Sequence, residues 1–403
     1  MKVAVIGGGA AGFFAALSCK AHHPGATVEI LEASGKTLSK VKVSGGGRCN
    51  VTNGCESNAE FLKYYPRGAK YLKKTFSHFD RQSTIDWFES RGVSLKTESD
   101  GRMFPITDDS QTIIDCLRTQ CSQLGIVVRQ NHRITQLISG EDDFRLVTKD
   151  GETTYSHVIV ASGGSPKKES YVWLEQLGHH ILDPVPSLFT FNIPNERKLI
   201  QLPGTGLSKA TVKIQGTKLV VSGPLLITHW GMSGPAVLKL SAWGARSLYD
   251  RQYDFSIQVN WTSWDNEEQV REQLQSSLAS FEKKLVVNVN PFELPKRLWI
   301  YLLDRVEIEE TKRWNELGKK ERNRLINVLC NDTYSVQGKT TFKEEFVTCG
   351  GVDNADVDFN TMKSRKVPGL YFAGEVLNVD GITGGFNFQA AWSTGFVAGK
   401  LGE

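Results

Sequence analysis

Residues 3–12 constrain the fold of this chain more than any other stretch, because they join a short apolar run to closely spaced glycines. Residues 3–6 have the length and the apolar character of a fully buried parallel strand. Gly7, Gly9 and Gly12 then complete the pattern G-x-G-x-x-G. The first glycine permits a tight turn, the second lets the backbone approach a pyrophosphate, and the third lets a helix pack closely on the strand. The stretch predicts a dinucleotide-binding strand, turn and helix.

A second strand and an acidic residue follow at the expected spacing. Residues 13–20 continue as an alanine-rich helix, and the apolar run 27–31 ends in Glu32, about 20 residues beyond the last glycine. We expect the Glu32 carboxylate to accept both ribose hydroxyls of an adenosine, and the helix N-terminus around Ala11 to offer N–H groups to phosphates. The predicted class is therefore α/β, and the glycine loop alone suits NAD or FAD.

Length and composition describe an ordinary globular protein. Of the 403 residues, 40% are hydrophobic and 23% are charged, and a net charge of +4 is too small to prove a nucleic-acid partner. No signal peptide is expected, because the glycine loop follows the first strand directly, and no apolar run reaches the roughly 18 residues of a membrane span. Seven cysteines without a C-x-x-C pair argue against a disulfide framework. We expect a cytoplasmic protein without a metal site, and the oligomeric state stays open.

The pattern of the sequence changes twice along the chain. From about residue 188 it is alternating and turn-rich, as in antiparallel sheets, and a helical, highly charged region follows. From residue 341 it returns to the pattern of the first domain, so the nucleotide-binding domain is expected to be discontinuous. The predicted parts are residues 1–187 with 338–403 for that domain, 188–264 with 283–290 for an inserted β part, and 265–337 for a helical part.

Two strand ends favour a flavin over NAD. In two-domain FAD enzymes, a late strand ends in a small residue, a glycine and an acid that reaches the ribityl chain or the pyrophosphate. Gly374 and Glu375 fit this pattern, with glutamate where aspartate is commoner. An earlier strand runs into Gly163 through Ala-Ser-Gly, which resembles the Ala-Thr-Gly strand end of the same enzymes. Together with the glycine loop, these signals favour FAD.

The last helix and a triple glycine are expected to complete the flavin site. The dipole of the last helix, with the N–H groups near Asn387 and Phe388, would stabilise negative charge on N1 and O2 of reduced flavin. Three consecutive glycines at residues 45–47 provide backbone that can lie against a flat ligand. The residues expected to hold the cofactor are Gly7, Gly9, Ala11, Gly12, Glu32, Lys36, Ser44, Gly45, Gly46, Arg48, Gly163, Gly374, Glu375, Gly384, Gly385, Asn387 and Phe388.

Five longer motifs identify a family. They are Ser-Gly-Gly-Gly-Arg-Cys-Asn-Val-Thr-Asn at 44–53, Gly-Arg-Met-Phe-Pro at 101–105, Thr-His-Trp-Gly-Met-Ser-Gly-Pro at 228–235, Thr-Cys-Gly-Gly-Val at 348–352 and Gly-Gly-Phe-Asn-Phe-Gln at 384–389. Nearly end to end, the chain resembles the bacterial BaiN/RdsA (YhiN-type) flavoprotein family. The resemblance implies a glutathione-reductase-like FAD-binding Rossmann domain with an inserted antiparallel β-barrel-like and helical region.

The resemblance also implies a chemistry. For the RdsA branch, it implies reduction of a uridine in large-subunit ribosomal RNA to dihydrouridine, whereas other members are linked to bile-acid reduction or to amine oxidation. The turn at residues 165–171 departs from the family, which usually has a Gly/Ser/Thr-rich turn ending in Gly-Asp-Gly-Tyr. The role of that turn is therefore open, and the departure is consistent with a sub-branch that contacts its substrate differently.

Reduction of a uracil double bond needs a general acid within about 3 Å of the carbon that it protonates. Cys49 is the first candidate, because the triple glycine would bring it against the flavin, and Arg48 is expected to lower its pKa or to bind a phosphate. The alternative, a packing role for Cys49 and a structural role for Arg48, stays open. His229 is the second candidate, with stacking or capping as its alternative, and Trp230 is expected either to stack on a base or to fill the core of the insert.

A disulfide-reductase interpretation is disfavoured. Cys49 and Cys55 are separated by five residues that include Gly54, which suits a helical redox pair poorly. No second G-x-G-x-x-G provides a separate NADPH domain.

Contacts to RNA are expected from basic residues interleaved with aromatic ones. Residues 61–76 fit best, because they contain five cations and three tyrosines but no acid, although an ordinary solvated surface at residues 63–74 stays equally open. In the helical part of the insert, glutamates alternate with the cations, so a solvated surface is the preferred interpretation there. The residues expected to bind the substrate are Arg67, Lys70, Tyr71 and Trp230.

The sequence thus predicts a cytoplasmic FAD-dependent oxidoreductase that reduces a uridine of 23S ribosomal RNA, with NAD(P)H as reductant. Two alternatives stay open. One is a flavin-dependent reductase or oxidase of a small metabolite, and the other is a non-catalytic, flavin-stabilised RNA-binding protein.

Overall fold

The computed structural model describes residues 1–262, 264, 266–340 and 347–403. It divides the chain into two compact units. The first consists of Met1–Ser187 and the C-terminal segment, and the second begins at Leu188 and is described to residue 340. Asp265, where the helical part of the insert is expected to begin, and residue 341, where the first pattern is expected to return, lie outside the described residues.

The first unit is built on a sheet in which seven strands are described. Its central strand, Lys2–Ile6, is parallel to Thr27–Leu31 on one side and to His157–Val160 on the other. The apolar residues of these strands are buried, as expected for a parallel sheet covered on both faces. In spatial order the strands are Val357–Asp358, Lys363–Ser364, Leu370–Phe372, His157–Val160, Lys2–Ile6, Thr27–Leu31 and Val127–Arg129.

Smaller sheets and helices complete the first unit. The strands of its smaller sheets are Ile181–Ser187 with Val347–Val352; Thr52–Asn53, Arg102–Pro105 and Leu95–Thr97; and Gln136–Ser139, Phe144–Thr148 and Gly151–Tyr155. Its helices are Ala10–His22, Ser39–Gly47, Asn58–Leu62, Ala69–Phe76, Arg81–Glu89, Gln111–Gln123, Val172–Glu175 and Phe386–Gly399.

The first and last helices of this unit pack directly on each other through small residues. A Cβ added at Gly395 would lie 2.6 Å from the carbonyl oxygen of Ala11, and one at Gly399 would lie 2.4 Å from that of Ala15. The Ser18 hydroxyl donates a 2.6 Å hydrogen bond to the Phe396 carbonyl. Such close approach requires glycine at the contacts. The two ends of the chain therefore form one structural element beside the central sheet.

The last helix begins earlier than the sequence indicates. Its hydrophobic pattern predicts a start at residue 390, but the helix begins at Phe386. Gly385 caps it in a left-handed conformation with φ 93°, and the Gln389 amide already donates to the Gly385 carbonyl at 3.0 Å. The glycine pair thus lies at the helix N-terminus itself.

The second unit contains an antiparallel sheet, in which seven strands are described. Within these residues the sheet is open rather than a closed barrel, because its two edge strands are not hydrogen-bonded to each other. In spatial order the strands are Asp332–Gln337, Asp254–Asn260, Gly206–Ile214, Val220–Thr228, Gly231–Ser233, Thr190–Asn192 and Lys339–Thr340. The α-helices are Pro235–Asp250, Glu267–Ser280, Lys296–Arg305 and Lys319–Asn331.

One segment that was expected to belong to the β part of the insert is not a strand. Residues 283–290 are predicted to join the β part, but Val286–Asn288 form a 3₁₀ turn among the helices. Val286 is fully buried there, and its carbonyl accepts the indole N–H of Trp299 at 2.9 Å. A short β-branched run is ambiguous from sequence alone, and here helix packing decided its conformation.

Candidate functional site

The glycine loop has the geometry of a phosphate site. Gly7 has φ 114°, and a Cβ there would lie 2.2 Å from the Ala161 carbonyl oxygen. At Gly12 a Cβ would lie 1.9 Å from the Gly7 carbonyl oxygen. Gly9 is different, because a Cβ there would have no neighbour within 4 Å, and the helix that it caps has no side-chain cap. The open space thus lies at a helix N-terminus whose N–H groups suit an anion.

Glu32 is held at this loop by backbone groups. Its Oε2 accepts from the Gly8 amide at 2.8 Å, and its Oε1 accepts from the Ser34 amide at 2.7 Å. A carboxylate has about four lone-pair sites, so acceptor capacity remains for ribose hydroxyls. Lys36, also expected at the cofactor, is exposed, and its carbonyl accepts from the Ser34 hydroxyl at 2.9 Å.

The triple glycine forms an ordered left-handed turn at the end of the helix Ser39–Gly47. Gly45, Gly46 and Gly47 have φ values of 59°, 71° and 86°, and Ser44 before them is extended. Added Cβ atoms at Gly46 and Gly47 would have no neighbour within 4 Å, whereas one at Gly45 would lie 2.8 Å from the Phe104 ring. One side of the turn is therefore packed on protein, and the other presents bare backbone that can lie against a flat ring.

Arg48 holds this turn, which agrees with the structural alternative for this residue. Its guanidinium pairs with Glu98 at 2.6 Å and with Asp108 at 3.5 Å, and it lies 3.9 Å over the centroid of Phe104. Its Nε donates to the Gly45 carbonyl at 3.3 Å. Two carboxylates thus already neutralise the guanidinium. The structure places Arg48 as a clamp on the glycine turn rather than as an activator of Cys49.

Cys49 is fully buried and has a left-handed backbone conformation, with φ 61°. Burial raises the pKa of its thiol to about 12, although a hydrogen bond with Ser44 acts in the opposite direction. The expectation that Arg48 lowers this pKa is therefore wrong. Desolvation disfavours the thiolate, and the guanidinium is paired elsewhere. Cys49 is a protonated thiol at neutral pH.

The segment after Cys49 is bonded directly to the C-terminal glycine turn. The Asn53 side chain donates to the Gly384 carbonyl at 3.0 Å, and the Thr52 hydroxyl donates to Gln389 Oε1 at 2.7 Å. A Cβ at Gly385 would lie 2.4 Å from the Thr52 carbonyl oxygen. These contacts join parts of the chain more than 300 residues apart, as the spacing of 337 residues between Thr52 and Gln389 shows. Thr52 and Asn53 are the last residues of the motif at 44–53, but the sequence had given no role to either of them.

Asn387 and Phe388, both expected at the flavin, have internal partners. The Asn387 amide accepts from the Gly381 N–H at 2.8 Å and donates to the Gly381 carbonyl at 2.9 Å. The ring of Phe388 stacks on Trp392 with centroids 5.6 Å apart. Their side chains shape the turn, and the backbone N–H groups at the helix N-terminus remain the candidate contacts to a ligand.

Glu375 is held by a backbone amide and by a lysine of the first unit. Its Oε1 accepts from the Thr348 amide at 2.8 Å, and its Oε2 pairs with Lys40 at 2.7 Å. Gly374 before it has φ 74°, and a Cβ there would lie 2.7 Å from the Cβ of Ala11. Lys40 had no sequence signal, because it lies 335 residues from Glu375 along the chain.

Gly163 also contributes open backbone to this region. It has φ 74°, and a Cβ there would have no neighbour within 4 Å. The same holds for Gly9 and Gly46, so three segments that are far apart in sequence leave bare backbone uncovered by protein. The close approach of Gly7 to Ala161 and Ser162 brings Gly163 beside the glycine loop.

Arg67, expected to contact RNA, forms a buried ion pair instead. Its Nε donates to Asp380 Oδ1 at 2.5 Å, and its Nη2 pairs with Asp380 Oδ2. Asp380 is fully buried and also accepts from the Ser187 hydroxyl at 2.8 Å. A buried carboxylate requires such partners, so the expectation of an RNA contact at Arg67 is wrong. Nearby, Lys70 is exposed, and Tyr71 is half-buried against Phe359, with ring centroids 5.2 Å apart.

His229 and Trp230 belong to the second unit. Thr228 pairs with Gly231 across two antiparallel strands, so these two residues form the tip of a β-hairpin. His229 is exposed, and Trp230 is 37% exposed. Filling the core of the insert is therefore not the role of Trp230.

The residues fit FAD. The helix N-terminus at Gly9, the carboxylate of Glu32, the flat backbone after Ser44 and the second glycine-capped helix supply what a pyrophosphate, a ribose and an isoalloxazine need. Among the described residues, no group of three or more His, Cys, Asp or Glu side chains suits a metal ion. Nor does any helix there have the length and apolar character to cross a bilayer. Fold and site together define a Rossmann-type FAD-dependent oxidoreductase.

Comparison with known proteins makes this assignment more specific. The chain belongs to the family described as HI0933-like protein Rossmann domain, which it matches over residues 1–401. It is 29% identical to the ribosomal RNA dihydrouridine synthase of Escherichia coli K12, over 98% of this chain and 96% of that protein. It is 26% identical to the 3-dehydro-bile acid delta(4,6)-reductase of Clostridium scindens, over 99% and 98% of the two chains. The family resemblance seen in the sequence is confirmed.

A solved structure shows the same fold. The 3-ketosteroid delta1-dehydrogenase of Sterolibacterium denitrificans aligns with a TM-score of 0.50 over 98% of both chains, at 13% identity. This likeness confirms the predicted fold, and the family match with the named reductase and synthase relatives confirms the predicted flavin oxidoreductase class.

Proposed function

We propose that this protein reduces a uridine of large-subunit ribosomal RNA to dihydrouridine, with NAD(P)H as the electron source. The observation that carries the proposal is the end-to-end similarity to the E. coli ribosomal RNA dihydrouridine synthase. The hydrogen bonds from the Thr52 and Asn53 side chains to the C-terminal glycine turn support it, because they join the segment after Cys49 to the N-terminus of the last helix.

The flavin, when bound, supplies hydride chemistry. The residues of the chain bind it, orient it and manage a proton. The left-handed turn at Gly45 and Gly46, clamped by Arg48, orients the ring, and the helix N-terminus at Gly385 offers N–H groups to its pyrimidine edge. Glu32 and the N–H groups after Gly9 bind the adenosine and phosphate end.

Cys49 is proposed to hold the proton that the uracil carbon receives. Burial raises the pKa of this thiol to about 12, so the proton stays on Sγ at neutral pH, and its transfer to a carbon requires a conformation in which Sγ is uncovered. The competing role is packing, which full burial equally satisfies. If Cys49 is the donor, Cys49→Ala slows uridine reduction while FAD affinity and flavin reduction by NAD(P)H are kept. If it only packs, the same change weakens FAD binding or stability instead.

RNA phosphates are proposed to meet the basic face of the helix Ala69–Phe76. Lys70, Lys73 and Lys74 are exposed there, whereas Leu72, Thr75 and Phe76 are buried on the opposite face. An unbroken basic face of this kind supplies the sequence-independent part of RNA affinity.

The test is a deletion strain. Dihydrouridine in its 23S ribosomal RNA is mapped with and without a plasmid that carries this gene. Loss on deletion and return with the wild-type gene support the proposal, and an unchanged dihydrouridine map refutes it.

A second candidate function follows from the bile-acid reductase relative. It is the reduction of a small unsaturated metabolite at the same flavin. Turnover of α,β-unsaturated ketones with NAD(P)H, together with an unchanged dihydrouridine map, would favour it. Rapid peroxide formation with amines would favour an oxidase, and flavin that no reductant bleaches would favour the binding protein without turnover.

A further inference from the structure

The helix Pro235–Asp250 of the second unit carries basic and aromatic side chains on its exposed side. Lys239, Trp243 and Arg246 are spaced four and three residues apart, so they lie on one stripe of the helix surface. We call these three residues the outer stripe. The opposite side of the helix is buried through Ala236, Val237, Leu240, Ser241, Ala242, Gly244, Ala245 and Leu248.

Trp243 is 43% exposed, although the same unit buries Trp261, Trp299 and Trp314 completely. The core of this unit therefore accommodates indole rings. The side of the helix that carries Trp243 is turned away from the core by the helical period. Its aromatic face remains accessible in the folded chain.

The two cations beside Trp243 are unpaired in the part of the chain that the structure describes. Lys239 and Arg246 are half-buried, and neither forms an ion pair or a side-chain hydrogen bond there. Some basic residues of this unit are paired, since Lys198 pairs with Asp304 at 2.6 Å and Arg305 pairs with Asp332 at 2.8 Å, whereas Lys319 and Lys320 resemble the two stripe cations in having no ion pair among the described residues. The outer stripe thus presents two uncompensated positive charges around one open aromatic ring.

This chemistry favours single-stranded RNA over the other possible partners. Lys and Arg contact phosphates, and an exposed indole stacks on an unpaired base. Seven residues of helix separate the two cations by about 10 Å, with the ring between them. A protein interface has few charges in its core, and a membrane surface needs a broad apolar face. The outer stripe carries two charges and a single apolar ring, so it suits neither a protein interface nor a membrane surface.

We propose that Lys239, Trp243 and Arg246 form an RNA-binding surface on the second unit, with the indole stacked on an unpaired base and the cations on the flanking phosphates. The inference rests on the proposed function, because it names where the ribosomal RNA substrate is held. It adds a contact surface on the inserted unit to the basic helix face of the first unit.

The experiment measures the affinity of the FAD-bound protein for a fluorescently labelled fragment of large-subunit ribosomal RNA with unpaired uridines, by anisotropy at several salt concentrations. Trp243→Ala is expected to weaken binding about tenfold, because one base stack contributes roughly 1–3 kcal/mol. Trp243→Phe should retain most of the affinity. Lys239→Ala with Arg246→Ala should reduce the slope of log K against log salt by about 1.5.

Lys319→Ala with Lys320→Ala is the matched control. It removes the same charge from exposed positions on another helix of the same unit. All variants should keep the wild-type melting temperature and the rate of NAD(P)H consumption without RNA. Equal loss in the control, or unaltered affinity in Trp243→Ala, would overturn the inference.

Two further outcomes are distinguishable. If Trp243→Ala changes the sedimentation coefficient but not RNA affinity, the surface binds a second copy of the chain, and the inference is wrong. If the stripe variants lose affinity while the deletion strain keeps its dihydrouridine, the surface binds RNA but the proposed reaction is wrong. Absence of binding by the wild-type protein overturns the inference outright.

Discussion

Cys49 combines full burial with a left-handed backbone, which is uncommon for a residue other than glycine. The strain is maintained by its surroundings: the Cys49 amide donates to the Ser44 carbonyl at 3.0 Å, and the glycine turn precedes it. Strained residues of this kind concentrate at functional sites. The conformation therefore makes Cys49 part of a strained turn whose open positions are Gly46 and Gly47.

The pH dependence of stability should report the burial of Cys49. The pKa of this thiol is about 12 in the folded chain and roughly 8.5 in the unfolded chain. Above pH 8.5 only the unfolded chain loses the proton, so the free energy of unfolding falls as pH rises towards 12. In urea denaturation of the FAD-free protein, the free energy of unfolding of the wild type should therefore fall relative to that of Cys49→Ser between about pH 8.5 and 11. A difference that stays constant with pH would contradict this burial.

The ion pair of Arg67 and Asp380 should contribute to stability rather than to RNA affinity. Arg67→Ala leaves the fully buried Asp380 carboxylate without its cation, which typically costs about 3–5 kcal/mol. Urea denaturation measures this, and Arg67→Met with Asp380→Leu should recover part of the loss. The control is Lys70→Ala, on the exposed side, which should leave stability unchanged. Normal stability with lost RNA affinity in Arg67→Ala would restore the role first expected from the sequence.

At the level of elements, glycines serve two different purposes in this fold. Gly12 and Gly395 allow backbones to touch, whereas Gly9, Gly46 and Gly163 leave space that no protein atom fills. The sequence pattern does not distinguish packed glycines from open ones, because in both classes it shows only a glycine before or within a predicted helix. The distances to neighbouring atoms separate them and predict different phenotypes.

Gly9→Ala and Gly395→Ala form a matched pair for this distinction. Gly9 has φ −92°, which alanine adopts readily, and its surroundings are open, so Gly9→Ala should leave the FAD-free unfolding free energy within about 0.5 kcal/mol. Its Cβ would stand where a pyrophosphate must approach, so FAD affinity should fall at least tenfold, as read by flavin fluorescence. Gly395→Ala should instead destabilise the FAD-free chain by about 1–3 kcal/mol through overpacking. The reverse pattern would show that the open space is not the phosphate site.

At the level of the whole molecule, the two units differ in how the chain builds them. The second unit is continuous from Leu188 and has its own core, in which Trp261, Trp299 and Trp314 are fully buried. The first unit requires both ends of the chain, because the helix Phe386–Gly399 packs on Ala10–His22. A continuous unit with its own core is expected to fold alone.

A fragment of residues 188–341 should therefore unfold cooperatively in urea, with a tryptophan fluorescence change at the midpoint. A shorter fragment, 188–331, is the control. It lacks the strand Asp332–Gln337, which pairs with Asp254–Asn260, and it also removes the buried partner of Arg305. That fragment should remain unfolded. Gradual, non-cooperative unfolding of the longer fragment would show that the second unit depends on the first.

Much of the nucleotide-binding half was predictable, because its signals are local. The strands Lys2–Ile6 and Thr27–Leu31 lie where the apolar runs place them, and the glycine loop has the conformation that its spacing requires. The subdivision of the insert into a β part and a helical part was less predictable, since Val286–Asn288 form a 3₁₀ turn where a strand was expected. The proton donor and the residues that bind RNA remain predictions.

The sequence by itself determined the class of this protein, because strand period, glycine spacing and the acid after the second strand act within a few residues of one another. Only the tertiary structure decided the partners of charged groups. Arg48 pairs with Glu98, Arg67 with Asp380, and Lys40 with Glu375, at sequence separations of 50, 313 and 335 residues. The partner of each charge is set by the fold, because residues so far apart in sequence meet only in the folded chain, and for the fully buried Asp380 desolvation makes a cationic partner necessary.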